Sequence, residues 1–230
     1  MLRVRSSHLL DLFYPRTCSG CSNSLLSGEE IICLECLFDM PYTRMHDLAY
    51  NTVEMRLYGR FDFTAATSLL FFTKNGKVQR MLHELKYMGA KQVGVYLGRS
   101  LAETLQHSER FAAVEYVVPV PLHPRRQKSR GYNQSEIIAE GMEEKGFHVL
   151  PQALKRLHNN ASQTRKTMAE RYINVQQVFA LQNSEMLRGK KVLLLDDVLT
   201  TGATLEACAK ELLKVDGIEL YVATIACAEY

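Results

Sequence analysis

The sequence predicts an α/β protein, a parallel sheet with flanking helices, preceded by a small four-cysteine metal-binding segment. Three observations carry this. Short apolar runs alternate with stretches of helical periodicity over most of the chain, the pattern of a parallel sheet covered on its faces. One run, Val192–Leu195, has no polar interruption, as in a strand buried on both sides. Near the start, Cys18, Cys21, Cys33 and Cys36 form C-x2-C-x11-C-x2-C, the ligand spacing of a zinc ribbon.

The 230 residues suffice for one sizeable α/β domain and a small appendage. We divide them at 1–50, a zinc ribbon with its connector, and 51–230, the sheet domain. Hydrophobic residues are 47% and charged residues 23%, ordinary for a soluble globular protein. A net charge of +3 does not by itself argue for nucleic acid. No apolar run approaches a membrane span, so no membrane insertion is expected. The opening MLRVRSSHLLDLFYP is a poor signal peptide because Asp11 breaks its apolar stretch. The expected location is cytoplasmic.

Each C-x2-C pair puts two sulfurs on one tight turn, and two turns complete a tetrahedron around Zn²⁺. Gly20 frees the first turn and Gly28 the reversal between pairs. Two disulfides are the rival reading, which a cytosolic location disfavours. A thioredoxin-like redox motif fits less well, since no βαβ pattern surrounds the pairs. Four thiolates make a structural site rather than a catalytic one. Cys208 and Cys227 read as small buried core residues.

After the aromatic-rich connector (Tyr42, Tyr50, Tyr58, Phe61, Phe63), Ala65–Thr73 reads as a strand. Val78, Met81, Leu82 and Leu85 have helical spacing, and Gly89 ends that helix. Val93, Leu97, Leu101 and Leu105 mark a second helix. Val114–Val120 is a strand, Gln134–Glu144 a helix, Phe147–Leu154 another strand, and Asn174–Leu181 weakly extended. Between Pro119 and Gln134 lies a loop with Arg125, Arg126, Lys128 and Arg130. Four cations ahead of a helix N-terminus suit a pyrophosphate or a nucleic-acid backbone, although charge alone also fits a solvated basic loop. Asn159–Arg171 is too polar for a core element and reads as a mobile loop carrying Arg165, Lys166 and Arg171.

The last strand–helix unit holds the most information. Asp196 and Asp197 stand at the C-terminal end of the apolar run, where ligands of open α/β sheets bind. Thr200, Thr201, Gly202, Ala203 and Thr204 follow, opening a helix with Leu205, Cys208, Ala209, Leu212 and Leu213 on one face. Backbone N–H groups there suit a phosphate, whereas the carboxylates would repel one and suit hydroxyls or Mg²⁺. One phosphate, free hydroxyls and a metal describe a sugar phosphate.

VLLLDDVLTTGAT resembles the phosphoribosyl pyrophosphate (PRPP) motif of type I phosphoribosyltransferases. That resemblance implies PRPP as ligand, with Asp196 and Asp197 on the ribose hydroxyls and Thr200–Thr204 around the 5′-phosphate. The four cysteines, LKYMG at Leu85–Gly89, VPVPLHPRRQKSRGYNQ, QTRKTMAER and the PRPP motif together resemble the ComF family, which joins a zinc ribbon to a phosphoribosyltransferase domain. By that likeness Pro121–Gly131 is a pyrophosphate loop and Gln163–Arg171 a loop closing over substrate. Amidophosphoribosyltransferases share VPVP and QTR elements, but this chain lacks their glutaminase domain and N-terminal cysteine nucleophile.

The resemblance implies a PRPP-binding protein that handles single-stranded DNA in natural transformation, with DNA-uptake proteins as partners. The alternative is a phosphoribosyltransferase acting on a small acceptor. Zinc ribbons often contact nucleic acid, and the connector aromatics could stack bases. The sequence offers no recognisable acceptor pocket, and His123 and His158 read as ordinary loop residues.

Overall fold

The computed structural model describes residues 16–157 and 178–228. Among them the helices are α1 (Leu34–Phe38), α2 (Thr52–Leu57), α3 (Lys77–Tyr87), α4 (Lys91–Gln106), α5 (Pro124–Arg130), α6 (Gln134–Glu143) and α7 (Ala203–Leu212). The strands are β1 (Ala65–Phe72), β2 (Tyr116–Pro119), β3 (His148–Val149), β4 (Leu154–Arg156), β5 (Phe179–Leu181), β6 (Lys191–Leu199) and β7 (Glu219–Ala228). Five strands form a wholly parallel sheet in the order β1-β7-β6-β2-β3.

Strand periodicity divides the core between two faces. Leu193 and Leu195 of β6 pack with Leu85, Leu97 and Ile138 of α3, α4 and α6. Val192 and Leu194 pack with Leu205, Cys208 and Leu212 of α7 and with Val53 and Leu57 of α2. The parallel sheet with flanking helices expected from the sequence is therefore observed.

After β2 the chain passes through α5 and α6 to β3 on one side of the sheet. After β6 it passes through α7 to β7 on the other side. The point where the strand order reverses thus lies between β2 and β6, which opens a crevice at their carboxyl ends. β2 stops at Pro119, paired with Leu195, while β6 runs on to Leu199 beside β7 alone. Asp196 and Asp197 are therefore inside a strand, with no neighbour on the β2 side. The apolar pattern alone puts them at the strand's end, whereas β6 runs on to Leu199.

Two glycines fix the wall of this crevice. A Cβ on Gly98 would lie 1.9 Å from the Ile138 carbonyl oxygen, and one on Gly141 would lie 2.1 Å from that of Val95. The backbones of α4 and α6 touch there, so α6 has little freedom to shift.

Two expectations need correction. Phe147–Leu154 is not one strand: Pro151, which cannot donate to a ladder, ends β3, and Leu154–Arg156 pairs antiparallel with β5 in a separate ribbon. The basic loop contains a helix, α5, with His123 as N-cap, Pro124 in its first turn and Gly131 left-handed at its end.

The cysteine segment is joined to the sheet domain. Cys18, Ile32, Cys33, Cys36 and Met40 belong to the same buried cluster as β1 and α3. Lys77 pairs with Asp39 at 2.8 Å, and Arg80 donates to the Gly20 carbonyl at 3.0 Å. Thr43 N–H donates to Leu69 O and Phe71 N–H to Pro41 O, so the connector covers the free side of β1.

Candidate active site and metal centre

The cysteine sulfurs all lie within 4.8 Å of one another. Four thiolates around Zn²⁺ at 2.3 Å would sit about 3.8 Å apart, and the Cys21 and Cys33 sulfurs are 3.7 Å apart. Every described cysteine is free, so the disulfide reading is set aside. Backbone N–H groups of Gly20 and Cys33 donate to the Cys18 sulfur at 3.3 and 3.2 Å. Burial pushes the Cys18 thiol up, but donors from Cys33, Cys21 and Gly20 outweigh it and bring it down to about 7. An all-thiolate donor set of this shape fits a tetrahedral soft-metal site.

The second site is the crevice between β2 and β6, a cavity of about 250 Å³. The structure brings Asp196, Asp197, Thr200, Thr204, Arg126 and Arg130 to its walls. A contiguous hollow of about 30 Å³ is lined by Thr200, Thr201, Gly202, Ala203 and Thr204. Gly202 is left-handed at +78° and caps α7, and a Cβ there would press Leu57 at 3.0 Å. This loop leaves the N–H groups of the first turn of α7 without intrahelical partners, which suits a phosphate.

The four cations of the basic segment divide between two faces of α5. Arg126 and Arg130, one helical turn apart, line the cavity. Arg125 and Lys128 are exposed and do not line it. Arg165, Lys166 and Arg171 lie outside the described residues.

The acidic pair is held by partners the sequence reading did not assign. Ser135 Oγ donates to Asp196 Oδ1 at 3.1 Å, and the Asp197 N–H donates to the same oxygen at 2.8 Å. Lys86 Nζ, from the end of α3, is 2.7 Å from Asp197 Oδ2. Burial pushes Asp196 up to about 7, and the Asp197 charge adds to the rise. Arg156 also lines the cavity; its guanidinium lies over the Phe179 ring, and burial draws it below its ordinary value. Arg60 reaches the phosphate loop from below, donating to the Thr201 carbonyl.

LKYMG and RGYNQ prove to be one cluster. The Tyr132 hydroxyl donates to the Leu85 carbonyl. The Arg130 guanidinium sits 5.1 Å from the Tyr87 ring centroid, and Arg130 Nη1 donates to Gln134 Oε1 at 2.6 Å. Lys86 thus reaches the acidic pair because its two neighbours are fixed to the basic segment.

Known proteins similar to this chain share parts of this arrangement. Residues 126–228 match the family described as phosphoribosyl transferase domain. Competence protein ComFC of Bacillus subtilis (strain 168) is 29% identical over 144 residues, covering 62% of this chain and 56% of that protein. DNA utilization protein YhgH of Escherichia coli O157:H7 is 26% identical over 207 residues, 86% of this chain and 84% of that one. A solved structure described as the allosteric regulatory enzyme of purine biosynthesis is 17% identical, covers 63% of this chain and 30% of that one, and superposes with a TM-score of 0.46. Residues 126–228 thus match a phosphoribosyl transferase domain that follows a four-cysteine cluster, and the chain is similar to proteins named for competence and for DNA utilization.

Proposed function

We propose that this chain is a PRPP-binding, phosphoribosyltransferase-like protein of the ComF type that handles single-stranded DNA in natural transformation. One observation carries the reading: a carboxylate pair, a phosphate-cradling loop and the cations Lys86, Arg126, Arg130 and Arg156 converge on one cavity at the switch point of a parallel sheet. That set matches a ligand with a phosphate, vicinal hydroxyls and a pyrophosphate. Asp196 and Asp197 would hold ribose hydroxyls and Mg²⁺, Thr200–Thr204 the 5′-phosphate, and Arg126 and Arg130 the pyrophosphate. Mg²⁺ would neutralise charge on the pyrophosphate. Zn²⁺ would sit among Cys18, Cys21, Cys33 and Cys36 and stabilise the ribbon. The protein would work in the cytoplasm, and among the described residues no helix is long and apolar enough to cross a membrane.

DNA handling draws on the names of the relatives, competence protein and DNA utilization protein. It also draws on Arg125 and Lys128, which face away from the cavity. Transfer of the phosphoribosyl group to a small acceptor is the alternative. The cavity cations, with Arg165, Lys166 and Arg171 as further catalytic groups, suit the charge of a departing pyrophosphate.

Calorimetry with PRPP and Mg²⁺ tests the common core. Losing one charge-assisted bond costs about 1.5–3 kcal/mol, so Asp197→Ala should weaken binding roughly ten- to hundredfold. Equal affinity in wild type and variant refutes the site. Anisotropy of a labelled oligonucleotide at several salt concentrations, beside pyrophosphate release over a panel of bases, separates the two functions. DNA affinity that falls steeply with salt supports the first, whereas turnover without DNA binding supports the second.

A further inference from the structure

Gln134 is the last residue of RGYNQ and the first of α6, and only 2% of it is exposed. It lines the cavity, yet its Nε2 has no hydrogen-bond partner. A flipped carboxamide does not account for this. Arg130 donates to Oε1 at 2.6 Å and carries no acceptor, so the oxygen must face Arg130 and the NH₂ must face away from it. A buried donor without an acceptor is costly in a free protein, and such groups are rare unless they have a use.

We propose that Gln134 is a ligand-binding residue whose Nε2–H donates to an oxygen of the pyrophosphate end of the bound ligand. The reading rests on the proposed PRPP site. Three features favour the pyrophosphate end over the ribose end. Gln134 lies on the β2 side of the crevice, where Arg126 and Arg130 also line the wall. Arg130 itself sets the carboxamide's orientation. The acidic pair of β6 is served separately, by Ser135 and Lys86. Gln134 and Arg130 then act as a unit, a neutral donor held in place by a cation. The carboxamide adds direction to a site where point charges alone would tolerate any polyanion.

The test compares Gln134→Met and Gln134→Glu with wild type by calorimetry against three probes: PRPP, inorganic pyrophosphate and ribose 5-phosphate. Gln134→Met should weaken PRPP and pyrophosphate about tenfold or more. Gln134→Glu keeps an acceptor for Arg130 but aims a carboxylate at the ligand, so it should weaken both further. Ribose 5-phosphate, which has no pyrophosphate, should bind all three proteins equally. The ligand-free thermal midpoint of Gln134→Met should stay close to that of wild type, because removal of the orphan donor offsets loss of the Arg130 bond. A merely structural glutamine would lower it instead. Unchanged PRPP and pyrophosphate affinities in both variants overturn the proposal, as does equal weakening of all three probes. If wild type binds pyrophosphate but not PRPP, the proposed function falls and the pyrophosphate titrations still decide the role of Gln134. Failure of wild type to bind either probe overturns both.

Discussion

Replacing Asp196 with asparagine should make the ligand-free protein more stable, by an amount that grows with pH. Burial and the adjacent Asp197 raise Asp196 from 3.8 to about 7. The folded chain therefore keeps a proton that the unfolded chain has already released above about pH 4. Where the folded state binds more protons, stability falls as pH rises, and the loss runs from about pH 4 until Asp196 ionises in the folded protein near pH 7. At about 1.4 kcal/mol per pH unit the full loss is about 4 kcal/mol, of which about 2–3 kcal/mol falls between pH 5 and pH 8. Asparagine keeps an oxygen to accept from Ser135 and from the Asp197 N–H but has no proton to lose. Urea denaturation of Asp196→Asn and wild type at unit steps over this range should give a gap in favour of the variant that widens by about 2–3 kcal/mol. A constant gap, or wild type the more stable at pH 8, would refute the reasoning. The same variant should bind PRPP more weakly, which would mark the carboxylate as kept for its ligand at a cost in stability.

Three further outcomes are expected. Cys18→Ser should lose tightly held zinc by elemental analysis and lower the thermal midpoint, whereas metal-free wild type with intact disulfides would rule the centre out. Neutralising Arg126 and Arg130 should abolish PRPP binding by calorimetry, while neutralising Arg125 and Lys128 should leave it within about twofold, since only the first pair lines the cavity. Gly98→Ala forces a methyl group against the Ile138 carbonyl and should cost about 1–3 kcal/mol in denaturant unfolding.

What the sequence revealed follows from the range of each interaction. β6 and α7 were legible because their signals are local: four apolar residues in a row, then an apolar stripe at helical spacing. The phosphate loop was legible for the same reason. α5 carried its own signals, a proline at the start and a glycine at the end, but its dense charge suggested a loop. Lys86 could not be found this way. It stands far along the chain from Asp197, and only the packing of α3 on the sheet brings the two together. Gln134 read as a helix residue because the orientation of a carboxamide depends on its neighbours in space, here Arg130. The broken strand after Phe147 turned on Pro151, a breaker that the apolar pattern around it concealed.

The cover that Pro41–Thr43 lays over β1 bears on how the molecule behaves when its ribbon fails. A bare strand edge recruits other chains, and proteins blunt such edges or hide them. At the opposite end of the sheet β3 has only two residues, too few to act as a template. β1 has eight, among them Leu69, Leu70, Phe71 and Phe72, and its shield is the connector that leaves the cysteine knuckles. A metal held by the four cysteines would then guard against self-association as well as staple a small fold. Stripping it with a chelator would unpin the connector and leave a long apolar edge open to other copies of the chain.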